Sequence, residues 1–299
     1  MAISEQWAQL LEPGLRRVYM DEYEALAGDS PVPTIFNVQN STKAQEHDLG
    51  VGAFSNWRPY TGKINYQENE QLWKTTYTHQ EFAEGIFVER SLVDDDQYNV
   101  INNRARGLAM GGFRKREVDA ASVFNNAFSA SYTGGDGIAL CGSHPYSPSN
   151  ATTQSNAGST AIGYDAIIAT RKLMKAFVDD RGNKIPINPD TLIVPLELED
   201  AAWVAVQSMN KPGTANNDGN FVRSKGFNVV VWDYLTDSNN WFMTDSRLAG
   251  LFLNWFNRVD MEFAMDPTSD FNLIAKYRGY MRYSYGWSDW RWVYGHAVA

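Results

Sequence analysis

Apolar residues recur at helical spacing along much of the chain and at strand spacing toward its end. Trp7, Leu10, Leu11 and Leu15 predict a short helix within residues 1–20, interrupted at Pro13. From Gly28 to about Gly52 the chain is polar and carries two prolines. That stretch predicts an extended arm with too little apolar surface to fold alone. A turn at Tyr60-Thr61-Gly62-Lys63 separates two strands, Phe54–Pro59 and Ile64–Gln67, and further β-rich runs follow at Trp73–Tyr77 and Gly85–Val88. A hairpin this long buries little of itself and needs another surface to lie on.

Residues 91–129 carry the longest helical pattern. Ser91 suits the N-cap, and Asp94, Asp95 and Asp96 suit the positive end of the helix dipole. Phe113, Ala120, Phe124 and Ala127 form one stripe, while Gly111-Gly112 predicts a bend or two helices end to end. Residues 130–163, rich in Gly, Ser, Thr and Asn and holding no Lys or Arg, read as a long loop.

Beyond it, Ala166, Ala169, Leu173 and Phe177 mark one helix, and Leu198, Ala202, Ala205 and Met209 another. Thr191–Val194 is a buried strand between them, and Lys211–Asn220 a polar loop. The remainder predicts β structure: Phe227–Trp232, Leu248–Phe256, Val259–Ala264 and Trp290–Tyr294, the second of these also readable as helix. Along 276–285, Tyr277, Gly279, Met281, Tyr283 and Tyr285 face one way and Lys276, Arg278, Tyr280, Arg282 and Ser284 the other.

Composition narrows the function. The 299 residues hold 35 acids against 26 bases, a net charge of −9, which is not the footprint of a protein gripping nucleic acid through a basic face. Fifteen Phe, fifteen Tyr and ten Trp exclude a disordered chain. No apolar run approaches the roughly 20 residues of a membrane span. The single cysteine, Cys141, excludes an internal disulfide framework. The first residues show no signal-peptide pattern, so an intracellular folding environment is expected.

Catalytic patterns are missing: no phosphate loop, no zinc spacing, no nucleophile elbow. His47, His79, His144 and His296 are scattered and read as structural. Cys141 with His144 suggests a thiol nucleophile, but a three-residue spacing in a Gly-rich loop does not set the geometry that such a pair needs. The acid groups Asp94–Asp96, Asp179-Asp180 and Glu197/Glu199-Asp200 could flank a glycan. Helix starts and a turn explain them more simply. Lys276, Arg278, Arg282 and Arg291 read as a solvated face or as inter-subunit pairing ahead of DNA contact. No catalytic, cofactor or metal site is expected.

An arm and a hairpin that cannot stabilise themselves, with no active site, point to a protein whose function is its contacts. In this order of elements the chain resembles the major capsid proteins of tailed bacteriophages, and among them the Mu-like major head subunits. The most specific local match is Asp136-Gly137-Ile138-Ala139-Leu140-Cys141-Gly142-Ser143-His144-Pro145, of which Asp136, Gly137, His144 and Pro145 carry the motif. The helix ending Arg114-Lys115-Arg116-Glu117-Val118-Asp119 before Ala120–Phe128 is also similar.

The resemblance implies an α+β, HK97-like fold: an N-terminal arm (1–52), an extended loop (53–90), a peripheral domain with a spine helix (91–163), an axial domain (164–265) and C-terminal strands returning to the peripheral domain (266–299). It implies self-assembly into hexamers and pentamers of an icosahedral shell, built in the bacterial host cytoplasm. Trp57, Arg58, Tyr60 and Lys63 would be inter-subunit contacts, and Gly111-Gly112 a hinge in the spine helix. The implied partners are a separate scaffolding protein, a portal and a decoration protein, with double-stranded DNA enclosed but not specifically bound. An encapsulin-type compartment and a carbohydrate-binding or glycan-cleaving protein are the alternatives.

Overall fold

The structure, a computed structural model, describes residues 6–64, 66–95, 97–214, 218–266 and 273–299. Of the acids singled out above, Asp96 lies outside them. The chain opens with helix α1 (Gln6–Gly28), a short α2 (Val32–Ile35) and strand β1 (Asn37–Asn40). Strands β2 (Gln45–Val51) and β3 (Gln71–Thr78) form an antiparallel ribbon. Strand β4 (Gln80–Glu89) then leads through α3 (Arg90–Asp94) into the 28-residue α4 (Tyr98–Asn125).

The glycine-rich segment holds β5 (Ser143–Ser147), β6 (Asn150–Ser155) and β7 (Ala157–Gly158). Helix α5 (Tyr164–Met174), β8 (Thr191–Val194), α6 (Glu199–Gln207), β9 (Asn228–Val231), β10 (Trp241–Thr244) and α7 (Ser246–Phe252) follow. The long strands β11 (Leu253–Met265) and β12 (Ile274–Trp287) and a last strand β13 (Val293–His296) complete the order.

Two sheets organise these elements. One has the order β1-β11-β12-β4, the other β7-β13-β10-β8-β9. Strands β11 and β12 run antiparallel from Leu253↔Trp287 out to Met265↔Tyr277, and the chain then crosses into the second sheet as β13. On β12 the expected alternation holds from Lys276 to Tyr283, with Tyr277, Gly279, Met281 and Tyr283 buried and Lys276 and Arg278 exposed; it fails at Ser284, which is buried against His79, and Tyr285, which is half-buried.

Two cores result. The larger gathers Phe124 and the tryptophans 232, 241, 255, 287, 290 and 292 around the second sheet and the end of α4. Phe124 sits edge-on to Trp232, Phe242 and Trp292, so truncating it to alanine should cost about 3–5 kcal/mol. The smaller core joins α1 to the first half of α4 and the first sheet, through Leu15, Tyr19, Ile101, Ala105, Phe263 and Tyr277.

Four expectations are corrected. Helix α1 runs through Pro13 without stopping. Pro13 and Gln9 both lie on its exposed face, so water can satisfy the carbonyl that loses its partner, while Ala8, Leu15, Tyr19 and Tyr23 hold the buried face. The hairpin is present, but its strands are β2 and β3; residues 52–64 and 66–70 carry none. The cross-strand partners lie outside the turn-rich stretch, where Pro59 and Gly62 oppose pairing.

The segment 130–163 is not a bare loop, because β5 and β6 pair and buried Asn156 ties Leu140 and Val293 through their carbonyls. Finally, Leu248–Phe256 is split between α7 and β11. The Asp245 side chain caps α7 by accepting from the Leu248 amide at 3.0 Å. The helical pattern over 91–129 holds two helices, α3 and α4, but α4 begins at Tyr98 and runs through Gly111-Gly112, where the bend or break was expected.

Candidate assembly interface

Between β2 and β3 the chain makes a long excursion, 52–70, in which the apolar side chains face solvent. Trp57 is 96% exposed and Tyr66 87%, with Phe54, Tyr60 and Ile64 also exposed. Arg58 and Lys63 stand beside them, exposed as well. A run of exposed apolar side chains in one segment fits a contact site, and aromatics with Arg are the residues enriched there.

The excursion is held at its base. Asp180 Oδ1 accepts from the Ala53 amide at 2.8 Å. Arg181 donates to Ser55 Oγ at 3.1 Å and to the Glu68 carbonyl at 2.9 Å. The Gln67 side chain accepts from Ser55 at 2.7 Å. Glu70 accepts from Ser147 and Ser149 in the β5–β6 turn, and these hydroxyls lower its pKa. The sequence marked Asp180-Arg181-Gly182-Asn183 only as a turn. Its further role as the loop's clamp left no local signal, because the partners lie more than a hundred residues away.

The motif 136–145 is a clasp rather than a reactive site. Gly137 adopts φ +77°, which lets Asp136 turn back on itself and accept from the Ile138 amide at 3.1 Å. His144 Nδ1 donates to Asp136 Oδ2 at 2.6 Å, and its ring stacks on Trp290 with centroids 4.4 Å apart. Pro145 lies in β5 opposite Thr153. The thiol of Cys141 is buried against Gly295, which Phe128 and Phe242 also approach, and burial raises its pKa. A thiolate is therefore disfavoured at Cys141, and the dyad suggested by the sequence is not assembled.

The other candidates resolve into structural roles. His79 bonds Ser41 and Ser284, and burial lowers its pKa, with Arg282 adding to the effect. His47 contacts Thr76 at 3.0 Å. His296 lies between Thr160 and Thr170. Asp179 closes its turn by accepting from Arg181 and Asn183, and Asp94 pairs with Arg90. Glu199 and Asp200 are exposed in the first turn of α6.

Two carboxylates that the sequence did not single out are buried on α4. Glu117 accepts from Ser30 Oγ and from Trp232 Nε1 at 2.9 Å. Asp119 binds Lys115 and the Tyr283 hydroxyl, each at 2.7 Å. The basic stripe is broken up: Lys276 and Arg278 are exposed, Arg282 pairs with Glu81 at 3.5 Å, and Arg291 is buried against Asp289 and two carbonyls.

Helix α4 is unbroken across Gly111-Gly112. Gly112 admits the Met261 methyl group and lies near the Tyr19 hydroxyl, whereas nothing crowds Gly111. No cluster of His, Cys, Asp and Glu suited to a metal occurs among the described residues, and none of the described helices is long and apolar enough to cross a membrane.

Comparison with known proteins accords with a site made for contacts. No curated protein matches the chain. Among solved structures, its fold is similar to that of the virus-like particle from Pyrococcus furiosus (TM-score 0.56, 10% identity, 95% of this chain and 98% of that one). It is also similar to the capsid of a native GTA particle (TM-score 0.51, 16% identity, 90% and 89%) and to that of the cyanophage P-SCSP1u (TM-score 0.52, 11% identity, 89% and 87%). The α+β architecture is accordingly the HK97-like one. The sequence itself matches the family described as phage capsid protein over residues 73–295, from β3 to β13. With most of its length so matched, the chain belongs to the phage capsid protein family.

Proposed function

We propose that the chain is the major head subunit of a tailed bacteriophage and assembles as hexamers and pentamers of an icosahedral shell around double-stranded DNA. The observation that carries this is the 52–70 excursion: aromatic and basic at its tip, clamped at its base, and making no use of its apolar surface within its own subunit. Trp57, Arg58, Tyr60 and Lys63 are its contacts with a neighbour. The motif Asp136 to Pro145 supports placement with the Mu-like head subunits.

The division into arm, extended loop, peripheral and axial domains follows that resemblance. So do the partners: a scaffolding protein, a portal and a decoration protein, met in the host cytoplasm. Gly111, which no neighbour crowds, lets α4 bend at Gly111-Gly112 between shell states. The net charge of −9 suits a shell that encloses DNA without binding it specifically.

Negative-stain microscopy of the purified protein, alone and with its scaffolding partner, is the test. Closed shells are expected. A strictly monomeric protein under all conditions, or shells isolated from cells with protein cargo and no DNA, would overturn the reading.

A further inference from the structure

Asp48, Trp73 and Thr75 share one face of the β2–β3 ribbon, because Asp48 is paired with Thr75 and alternate residues of a strand point the same way. Between the ribbon and the turn that follows β12 lies a cavity of about 340 Å³, lined by Asp48 and Trp73 on one side and by Trp287 and Trp290 on the other. Its size falls at the low end of the range of small-molecule sites, about 300–1,000 Å³. Leu49, Val51 and Leu251, which also line it, are exposed, so it opens to solvent.

Several of its polar groups are already engaged. Asp136 accepts from Ile138 and His144, and Asp289 binds Arg291, whose other N–H groups go to the Val178 and Tyr146 carbonyls. Three groups are not. Asp48 accepts from Asn254 at 3.1 Å through one carboxylate oxygen; among the described residues nothing donates to the other, and no cation pairs with it. Trp290 is 3% exposed, and its indole N–H has no acceptor among them. The buried Thr75 hydroxyl, which lies close to Gly135 of the cavity wall, has no partner there either. Buried polar groups are costly when left unpaired, so these mark the place of a polar occupant.

The set discriminates between classes of ligand. The unpaired Asp48 carboxylate repels an anion. A simple cation offers no acceptor to the Trp290 N–H. A hydroxyl group both donates and accepts, and so satisfies a carboxylate and an indole N–H together. The walls add a second requirement. Trp73 is half-buried and packs against no other ring among the described residues, so its indole is free to take an apolar surface. A sugar ring meets both demands, with C–H groups on its faces and hydroxyls around its edge.

We propose that the cavity beneath the β2–β3 ribbon is a saccharide site: one pyranose unit lies against the Trp73 indole, donates a hydroxyl hydrogen to Asp48 and accepts from Trp290 Nε1. The site is a further binding function of the subunit. It does not depend on the shell reading, because one chain supplies every residue.

The indole N–H resonances of the isotope-labelled, unassembled chain test it. They are followed by NMR while glucose, N-acetylglucosamine or, as a cationic control, spermidine is added. The Trp290 signal is identified by its loss in Trp290→Phe. At least one of the sugars should shift it saturably, and spermidine should not. Asp48→Asn keeps an acceptor for Asn254 but removes the charge, and should weaken the sugar's affinity by about tenfold or more, the value of a hydrogen bond to a charged group. Trp73→Leu should abolish the shift. The Trp241 signal, whose N–H is held by the Thr160 carbonyl in the other sheet, should stay in place in both variants and shows that they are folded. No shift at Trp290 up to the solubility of both sugars would mean that water alone fills the cavity and would overturn the site. A shift with spermidine alone, or an Asp48→Asn affinity equal to that of the wild type, would overturn it as well.

Discussion

Acidification should unlatch the C-terminal strand from the helix beside it, through His296. The ring is buried and stacked flat on Trp241 with centroids 4.3 Å apart. Its Nδ1 accepts from the Thr160 amide at 3.1 Å, so the proton resides on Nε2, which faces Thr170 Oγ1 at 2.8 Å. The Thr170 hydroxyl in turn donates to the Ala166 carbonyl, which leaves its oxygen free to accept. A second proton on the ring would set an N–H against the Thr160 N–H. Burial accordingly pushes the pKa from 6.5 down to about 4.

The folded pKa lies below the unfolded one, so the stability is complete above about pH 6.5 and declines as the pH falls toward 4. At about 1.4 kcal/mol for each pH unit, the full loss is about 3 kcal/mol. Urea unfolding of the unassembled subunit at pH 7.5 and pH 4.5 reads it. The wild type should lose about 2–3 kcal/mol more between these pH values than His296→Gln, whose baseline stability is lower but whose slope lacks this component. Glu46 and Glu70, whose pKa values are lowered by hydrogen bonds, lose their contribution as the pH falls through and below the ordinary carboxylate range, and do so in both proteins. A variant retaining the wild-type slope would refute the latch.

Pro13→Ala should stabilise the subunit by up to about 3 kcal/mol in the same assay, since the ring interrupts a helix that packing alone maintains. Trp232→Phe removes the hydrogen bond that Glu117 Oε2 accepts and should cost about 1–3 kcal/mol, seen as a lower denaturant midpoint. Cys141 should resist a thiol reagent in the native subunit and react fully in urea; fast native labelling would mean that the clasp around it opens. Asp180→Ala should leave the thermal midpoint within a few degrees while raising the proteolysis rate of 52–70 and slowing assembly.

Elements whose pattern is set by their own neighbours were legible in the sequence. Thr191–Val194 carries the apolar run Leu192–Val194 and is buried throughout; β12 alternates from Lys276 to Tyr283 because one face meets a core and the other is more open to solvent. What the sequence concealed depends on distant partners. The helix through Pro13 persists because of Tyr19 and Leu15 against α4 and β11, contacts with residues far along the chain. The strand order, with β13 inserted between β7 and β10, has no local signature. Glu117 and Asp119 read as members of a charged helical surface, and only the approach of Trp232 and Tyr283 turns them into buried acceptors. The exposed residues Trp57, Arg58, Tyr60 and Lys63 were identifiable by type, whereas the clamp that presents them was not.

That clamp bears on how an irregular loop can serve assembly. A segment without strand pairing carries large conformational freedom, and ordering it on contact opposes binding. Here the freedom is already reduced before any neighbour arrives. Both ends are held by β2 and β3, and Asp180, Arg181 and Glu70 grip the first and last residues of the excursion. What stays free is the tip, where Trp57 and Arg58 sit. The arrangement separates two demands on the same twenty or so residues. The base must be stiff, so that the aromatic tip is presented at a fixed reach, and in the proposed shell the tip must adapt, because hexamers and pentamers would set neighbours at different angles. Polar, hydrogen-bonded residues serve the first demand and aromatic residues the second, which is why the composition of the loop changes from its ends to its middle.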